Sequence, residues 1–432
     1  MAKIILGLGT NFGKKLDYLR QAVEKLSIKI GTVKKISSIY QSKPLLPKGA
    51  ISSWDKDYYN IAIEMLTHLE PLALLDRLQM IEIELGRKKN HLVWSPRVID
   101  IDILTYGHKS FDHPNLKIPH KELLIRRFAL EPLLEINPSW HYPNINIDLH
   151  QQLKKLPLIN RVPFSIKGTK IMGVINLSRD SFSSGKNITS NSNFENQIIA
   201  MVYSGAEIID IGAESTKPGA KIKTHQEVWK LLSPYLQRLE SLLKNYNFPL
   251  TVEVSIDTYH YLVLKQALQF SCVSVVNDVY GNNLMKIINL IKNSTVKYIF
   301  MHHSGLAGTN YLPIKNSLDH VLKYANSKKI MLIKHGLKQC QLIFDLGIGF
   351  GKYPFQAREL FFKVGFIKKY LKLPILVGHS RKSTASPFLH NSSISNKDIA
   401  CAVITHNLCQ QGLDYMRVHN INTNVIAKNL CP

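Results

Sequence analysis

The sequence predicts two domains: an α+β domain followed by a (β/α)8 barrel of the TIM type. Three observations predict it. Strand-like and helix-like segments alternate irregularly up to about Pro143. The stretch from Trp140 to Pro163 is polar and punctuated by prolines, as a connecting segment would be. From Lys170 onward a strand-then-helix pattern recurs eight times, over roughly the 250 residues such a barrel needs. The expected boundaries are 1–143 for the first domain, 144–164 for a linker and 165–432 for the barrel.

Each element has a local reason. Segment 3–8 reads as a strand. Segment 16–28 places Leu16, Leu19, Ala22, Val23 and Leu26 on one helical face. Segment 58–66 is a strand, 71–85 a helix with proline in its first turn, and 97–106 a strand again. A short helix is expected at 148–156. The later strands are expected at 170–176, 207–212, 251–257, 274–279, 297–302, 341–345, 374–378 and 414–418. A doubly wound sheet would share this rhythm. The strand ends favour the barrel: Asn176, Asp257, Asn277, Asp278, Asp345, Arg417 and His419 all fall at or near C-terminal ends, and Lys382 follows the seventh strand. That is the end where a barrel carries its active site. One aspartate after a strand is commonly a cap; so many in one chain are not.

Composition narrows the function classes. The 432 residues suggest two or three domains, and 45% apolar with 20% charged residues is ordinary globular protein. No apolar run is long enough to span a bilayer. The amino terminus enters a strand-like segment at once, so no targeting sequence is expected. Five scattered cysteines without CxxC spacing point to a reducing cytoplasm. The net charge of +24 raises nucleic-acid binding, but the lysines are dispersed and no basic block with interleaved aromatics occurs. Neither nucleic acid nor membrane is expected as a partner. A basic surface also attracts phosphorylated small molecules.

The strongest local feature is Trp94-Ser95-Pro96-Arg97-Val98-Ile99-Asp100-Ile101-Asp102. On a strand, Asp100 and Asp102 share a face. Paired carboxylates repel unless a cation joins them, and hard oxygen ligands suit Mg²⁺, which shares its shell with substrate phosphates. For a DxD alone, a solvated edge strand is the commoner explanation. Context changes the weight: Arg87, Lys88, Lys89, Arg97, Arg126 and Arg127 surround the pair in sequence and could neutralise a triphosphate. No GxxxxGK[ST] loop is present, so a nucleotide would be held by side chains and metal.

These residues resemble 6-hydroxymethyl-7,8-dihydropterin pyrophosphokinase. Supporting pieces are Leu8-Gly9-Thr10-Asn11, Tyr40-Gln41-Ser42-Lys43-Pro44-Leu45, Tyr58-Tyr59-Asn60, Ile118-Pro119-His120 and Arg126-Arg127-Phe128, in order over nearly all of 1–143. The resemblance implies a ferredoxin-like α+β sandwich, with two Mg²⁺ ions held by Asp100 and Asp102 and bridging ATP to the pterin. It implies that Arg87, Arg97 and Arg126 contact phosphates, and that Gln79, Glu82 and His120 lie near ATP. It places the pterin by Ser42, Pro44, Leu45, Asn60 and Phe128. Lys43 and Lys121 depart from the family pattern.

The second region carries Met172 to Ser183, Asp210 to Gly219, Ser255-Ile256-Asp257-Thr258, Val276-Asn277-Asp278-Val279, Met301-His302, Asp345 to Lys352, Gly378-His379-Ser380-Arg381-Lys382-Ser383 and Arg417-Val418-His419. The glycines of 347–352 lack GxGxxG spacing and read as a turn after the sixth strand, with Asp345 the informative residue: a carboxylate suits two adjacent pterin N–H donors. Arg417 and His419 share a face and suit a phosphate group. This region resembles dihydropteroate synthase over roughly 165–425. By that resemblance Asp257, Asn277, Asp345 and Lys382 bind pterin. Asn176, Arg417 and His419 hold pyrophosphate, with one Mg²⁺ at Asn176, and Phe182, Thr216, Lys217, Pro218 and Ser380 frame p-aminobenzoate. Catalysis falls to Arg87, Arg97, Asp100, Asp102, Asp257 and Lys382, and a homodimer through the barrel is implied. Arg179 and Lys217 depart from the pattern.

The resemblance therefore implies a bifunctional enzyme in which one half makes the other's substrate. A pterin-dependent methyltransferase would use a related barrel, but the loop 214–219 and Arg417-Val418-His419 argue for a pyrophosphate leaving group. A basic RNA-binding protein would show no ATP turnover. A degenerate first half is opposed by the presence of Arg87, Arg97, Asp100 and Asp102.

Overall fold

The computed structural model describes residues 1–88, 92, 94–177, 191–214, 222–303, 317–382 and 393–431. The chain divides into two compact units, Met1–Lys167 with Pro249–Thr251, and Gly168–Phe248 with Val252–Pro432. Among the described residues no helix is long and apolar enough to cross a membrane.

The first unit contains β1 (Ala2–Thr10), α1 (Lys15–Lys29), β2 (Gly31–Ile36), β3 (Tyr40–Ser42), β4 (Tyr58–Thr67), α2 (Pro71–Glu84) and β5 (Asp100–Tyr106). A hairpin of β6 (Phe111–His113) and β7 (Leu116–Ile118) follows, then α3 (Arg127–Ile136), α4 (Leu149–Lys154) and β8 (Asn160–Arg161). β1 lies between β5 and β4, antiparallel to both, and β2 and β3 pair with the other edge of β4. Counting β2 and β3 as one interrupted strand, this is the β-α-β-β-α-β order of a ferredoxin-like sheet. α1 turns Leu16, Leu19, Ala22, Val23 and Leu26 inward. α3 covers the other face, burying Leu130, Leu133 and Leu134 against Ile5, Ala62 and Leu104.

Segment 144–164, expected as a linker, contains α4 and β8. Asp148 caps α4 by accepting from the amides of His150 and Gln151, and β8 pairs with β3. These hydrogen bonds make 144–164 part of the first unit rather than a free connection.

The second unit alternates β9 (Lys170–Asn176), α5 (Asn191–Tyr203), β10 (Ile208–Gly212), α6 (His225–Asn245), β11 (Glu253–Asp257), α7 (Tyr261–Ala267), β12 (Val273–Asp278) and α8 (Leu284–Ile291). It continues through β13 (Lys297–Met301), α9 (Ser317–Lys334), β14 (Leu342–Asp345), α10 (Pro354–Phe362), α11 (Val364–Leu371), β15 (Ile375–Val377), α12 (Ile394–Gln410), β16 (Tyr415–Val418) and α13 (Ile421–Asn429). The strands β9 to β16 close into a parallel barrel. The barrel is expected from the pattern of strand ends, and the structure shows it.

The two ends of the barrel differ chemically. At the starts of the strands Glu253 receives Lys170 at 2.8 Å and Lys297 at 2.6 Å. Above them lies an apolar layer of Met172, Ile208, Val275, Ile299, Ile343 and Leu376. The polar residues that close the strands stand at the opposite end, where a barrel builds function rather than stability.

Candidate active sites

In the first unit the strand register assembles a site. Gly9 pairs with Asn60 on one side and Asp100 on the other, and Gly7 pairs with Ala62 and Asp102. Cross-strand partners share a face, so Asn60 and the two aspartates look onto the same surface. The two glycines keep that surface open: a Cβ on Gly9 would meet Asn60 Oδ1 at 3.2 Å, and one on Gly7 would meet Leu104 at 3.1 Å. The result is a cavity of about 270 Å³, lined among others by Ser42, Pro44, Leu45, Asn60, Arg97, Asp100, Asp102, Arg126 and Phe128. Tyr58, Trp94, Gly7, Gly9 and Lys43 also line it.

Cations and carboxylates face each other there. Arg87 reaches Asp100 at 2.7 Å and Arg97 reaches it at 2.9 Å. Arg126 stands over the Phe128 ring at 5.6 Å and pairs with Glu122. Burial, reinforced by the charge of Asp100, pushes the Asp102 carboxyl up to about 7. Asn60 donates to Ser42 Oγ at 3.0 Å and to the Tyr40 carbonyl at 3.3 Å, which fixes its amide. Asn11 Oδ1 accepts from the Arg97 amide at 2.8 Å and pins the segment carrying that arginine.

Four of the expected nucleotide contacts, Arg87, Glu82, Gln79 and His120, are not among the residues that line the cavity. Glu82 is buried behind the sheet edge, where it accepts from Arg87 and from the Ile101 amide at 2.7 Å. Burial raises its carboxyl to about 7. It orients Arg87 and β5 rather than facing the cavity. Gln79 is exposed on α2, and the half-buried His120 accepts from the Glu122 amide at 3.2 Å; neither lines the cavity. Lys43 pairs with Asp57 at 2.8 Å, and Lys121 is exposed.

In the second unit the strand ends converge. Arg417 on β16 donates to Asp210 on β10 and to Asp257 on β11, both at 2.6 Å. Asn277 on β12 donates to Asp210 at 3.4 Å. Burial lifts Asp257 to about 7, with Arg417 opposing and Asp210 adding to the rise. Asp345 closes β14 and accepts from the Gly347 amide at 2.8 Å; burial raises its carboxyl as well. Lys382 donates to the Ile348 carbonyl and lies over the Phe350 ring at 4.9 Å. Burial lowers its ammonium to about 8, although Asp345 opposes the shift. His419 Nδ1 meets Ser380 Oγ at 3.1 Å, and burial together with Arg417 lowers this imidazole to about 4. Asn176 donates to the Glu214 carbonyl at 3.1 Å.

Asp257, Asn277, Asp345, Lys382, Arg417, His419, Ser380 and Asn176 all occupy C-terminal strand ends or the turns that follow them. Phe182, Thr216, Lys217 and Pro218, with Arg179, lie outside the described residues. Sequence reasoning missed Asp210, the second carboxylate on Arg417. Its signal was available: it sits two residues before Gly212, on the same strand face. It also missed the apolar cluster of Val279, Met301 and Phe350, with Tyr280 packed against it. Those residues come from three different strand ends, and no local pattern joins them.

Residues 5–138 match the family model for 7,8-dihydro-6-hydroxymethylpterin-pyrophosphokinase, and residues 172–419 match that for pterin binding enzymes. The folate synthesis bifunctional protein of Chlamydia muridarum is 32% identical over 98% of this chain and 96% of its own length. A dihydropteroate synthase from Anaplasma phagocytophilum, solved with 6-hydroxymethylpterin-monophosphate, is 30% identical. It covers 61% of this chain and 98% of its own, with a TM-score of 0.53. A Plasmodium falciparum structure of the two-domain type shares the fold at 20% identity, 99% and 95% coverage and a TM-score of 0.55. A single chain thus joins a cavity of paired carboxylates and arginines to a polar barrel mouth, and it belongs to the bifunctional folate synthesis enzymes, pyrophosphokinase first and dihydropteroate synthase second.

Proposed function

We propose that the first unit moves pyrophosphate from ATP to 6-hydroxymethyl-7,8-dihydropterin, and that the barrel condenses the product with p-aminobenzoate to give 7,8-dihydropteroate. The observation that carries this reading is that each unit sets buried or half-buried carboxylates against arginine: Asp100 with Arg87 and Arg97, beside Asp102 and Arg126, and Asp210 and Asp257 with Arg417.

In the first unit the pterin is held by Asn60, Ser42, Pro44, Leu45 and Phe128. Its hydroxyl attacks the β-phosphorus of ATP, the bond to the α-phosphate oxygen breaks, and AMP leaves. Arg87 and Arg97, which neutralise Asp100 in the free protein, are the donors that turn to phosphate oxygens, joined by Arg126. Positioning and charge neutralisation supply most of such catalysis. The donor set fits Mg²⁺: two hard carboxylates side by side, one of them pushed up to about 7 by burial and its neighbour's charge. Mg²⁺ commonly takes one or two carboxylates and completes its shell with phosphate oxygens and water. Two bound Mg²⁺ ions would offset the phosphate charge; Asp100 and Asp102 would hold them.

In the barrel, Asp345, Asn277 and Lys382 grip the pterin, with Asp257 facing the charge that develops on it. Arg417, His419 and Asn176 hold the pyrophosphate as the carbon–oxygen bond breaks; Asn176 would also hold one Mg²⁺, which would offset the leaving group's charge. The amine of p-aminobenzoate forms the new carbon–nitrogen bond and loses a proton. Ser380 with Phe182, Thr216, Lys217 and Pro218 would frame that amine. Donors aimed at a departing anion are the protein's main contribution.

The test supplies the purified chain with ATP, Mg²⁺, the dihydropterin and p-aminobenzoate, and follows AMP and dihydropteroate together. Both products are expected; absence of AMP sinks the first assignment, and absence of dihydropteroate the second. A pH profile tests Lys382 separately. In the free enzyme its ammonium is kept below about pH 8, so kcat/KM for dihydropteroate should fall above that value. Lys382→Arg should move this limb beyond pH 10, if at lower activity. A wild-type profile flat to pH 10 contradicts the role.

We also read the barrel as one half of a homodimer. Ile399 and Val403 on α12 and Ile426 on α13 are 59%, 68% and 62% exposed, an apolar face on two adjacent helices. Sedimentation should return twice the 49.1 kDa chain mass; a monomer at micromolar concentration rejects it. The five cysteines are unpaired, which suits the cytoplasm as the compartment.

A further inference from the structure

Lys352 is almost fully buried, and nothing in the reaction above uses it. Among the described residues its ammonium has four acceptors: His302 Nδ1 at 2.9 Å, Gly347 O at 3.0 Å, His302 O at 3.2 Å and Phe350 O at 3.3 Å. None is a carboxylate. An apolar side chain of similar length would fill the space without the cost of burying a charge. The acceptors come from only two places, the end of β13 and the turn 346–351 after β14.

Those two places shape the pterin site. The His302 amide donates to the Asp345 carbonyl at 3.1 Å, while the Asp345 carboxylate accepts from Gly347. The same turn supplies the Ile348 carbonyl and the Phe350 ring that hold Lys382. Phe350 and Met301 belong to one apolar cluster. The turn is pressed close: Gly347 has φ +63°, and a Cβ there would lie 1.8 Å from His302 O. Burial and the Lys352 charge keep His302 neutral, so its Nδ1 accepts from Lys352 while Nε2 faces His320 at 3.3 Å.

We propose that Lys352 is a positioning residue for the synthase: by clamping the turn 346–351 onto the end of β13, it sets Lys382, Phe350 and Asp345 in the geometry that receives the pterin. This rests on the synthase reading of the barrel. It touches no substrate and acts through those three groups. Burial brings this ammonium down to about 7, although the charge of Asp345 opposes the shift.

The test uses the full chain, with the dihydropterin pyrophosphate supplied directly and dihydropteroate measured. Wild-type activity establishes the synthase reading; its absence sinks that reading, whatever Lys352 does. Given activity, Lys352→Met should raise KM for the pterin pyrophosphate by roughly 10- to 100-fold, the scale of an ångström-sized misplacement. KM for p-aminobenzoate and ATP-dependent AMP release should stay within about threefold of wild type. A folded Lys352→Met protein with an unchanged pterin KM overturns the proposal. So does an equal loss in both KM values, which marks a general structural role. Lys352→Gln keeps two N–H donors and should give an intermediate pterin KM. If Lys352→Met fails to fold and Lys352→Gln binds pterin like wild type, the lysine serves only the fold and the proposal falls.

Discussion

Asp102→Ala should lower AMP release by about 10³-fold and leave dihydropteroate formation from supplied pterin pyrophosphate unchanged. The magnitude is that of losing a preorganised charge from a reacting centre. Asp102 sits on β5 opposite Gly7, facing the cavity, where burial and Asp100 have already made its ionisation costly. That cost is justified only when a cation shares the two carboxylates. Alanine leaves Asp100 alone, and Arg87 and Arg97 already neutralise it. The remaining site would bind nucleotide through its arginines yet lack the charge that aligns the β-phosphorus. The expected pattern is therefore a fall in kcat larger than the rise in the KM for ATP. A variant retaining a tenth or more of wild-type AMP release would remove Asp102 from the reaction. The barrel carries its own polar site in a separate compact unit, so its rate serves as the internal control.

Arg417→Met should damage both activity and stability of the barrel. In the free protein Arg417 is the hub of two carboxylates at 2.6 Å each, one of them, Asp210, fully enclosed. Removing it leaves like charges facing each other across β10 and β11 without compensation. Breaking a fully buried pair typically costs 3–5 kcal/mol; with Arg417 about a fifth exposed, about 2–4 kcal/mol is expected. Denaturant unfolding should show the barrel transition moving to lower concentration. Dihydropteroate formation should fall by at least about 10²-fold if, as proposed, Arg417 is a donor to the leaving pyrophosphate. Arg417→Lys should not restore it: one ammonium cannot span Asp210 and Asp257 as the planar fork does. Stability within 1 kcal/mol of wild type in Arg417→Met would show that Asp210 and Asp257 do not depend on it. AMP release should persist throughout.

Much of this molecule was legible before any fold was known. The alternation of Asp100 and Asp102, the helical spacing from Leu16 to Leu26, and the polar strand ends from Asn176 to His419 are local properties. They follow from the periods of strand and helix, and they determined the two-domain reading, the barrel and most of the residues proposed for both sites. What only the tertiary structure decided is which distant groups meet. That Glu82 is buried and accepts from Arg87 and the Ile101 amide is visible only in the fold. Asp210 became a site residue only when barrel closure brought β16 back beside β9 and placed Arg417 across from it. Lys352 reads in sequence as the end of a glycine-rich turn; its role depends on a strand fifty residues earlier. Periodicity reports which face a side chain takes, but ion pairs and packed turns depend on through-space distance, and that is set only when the sheet closes.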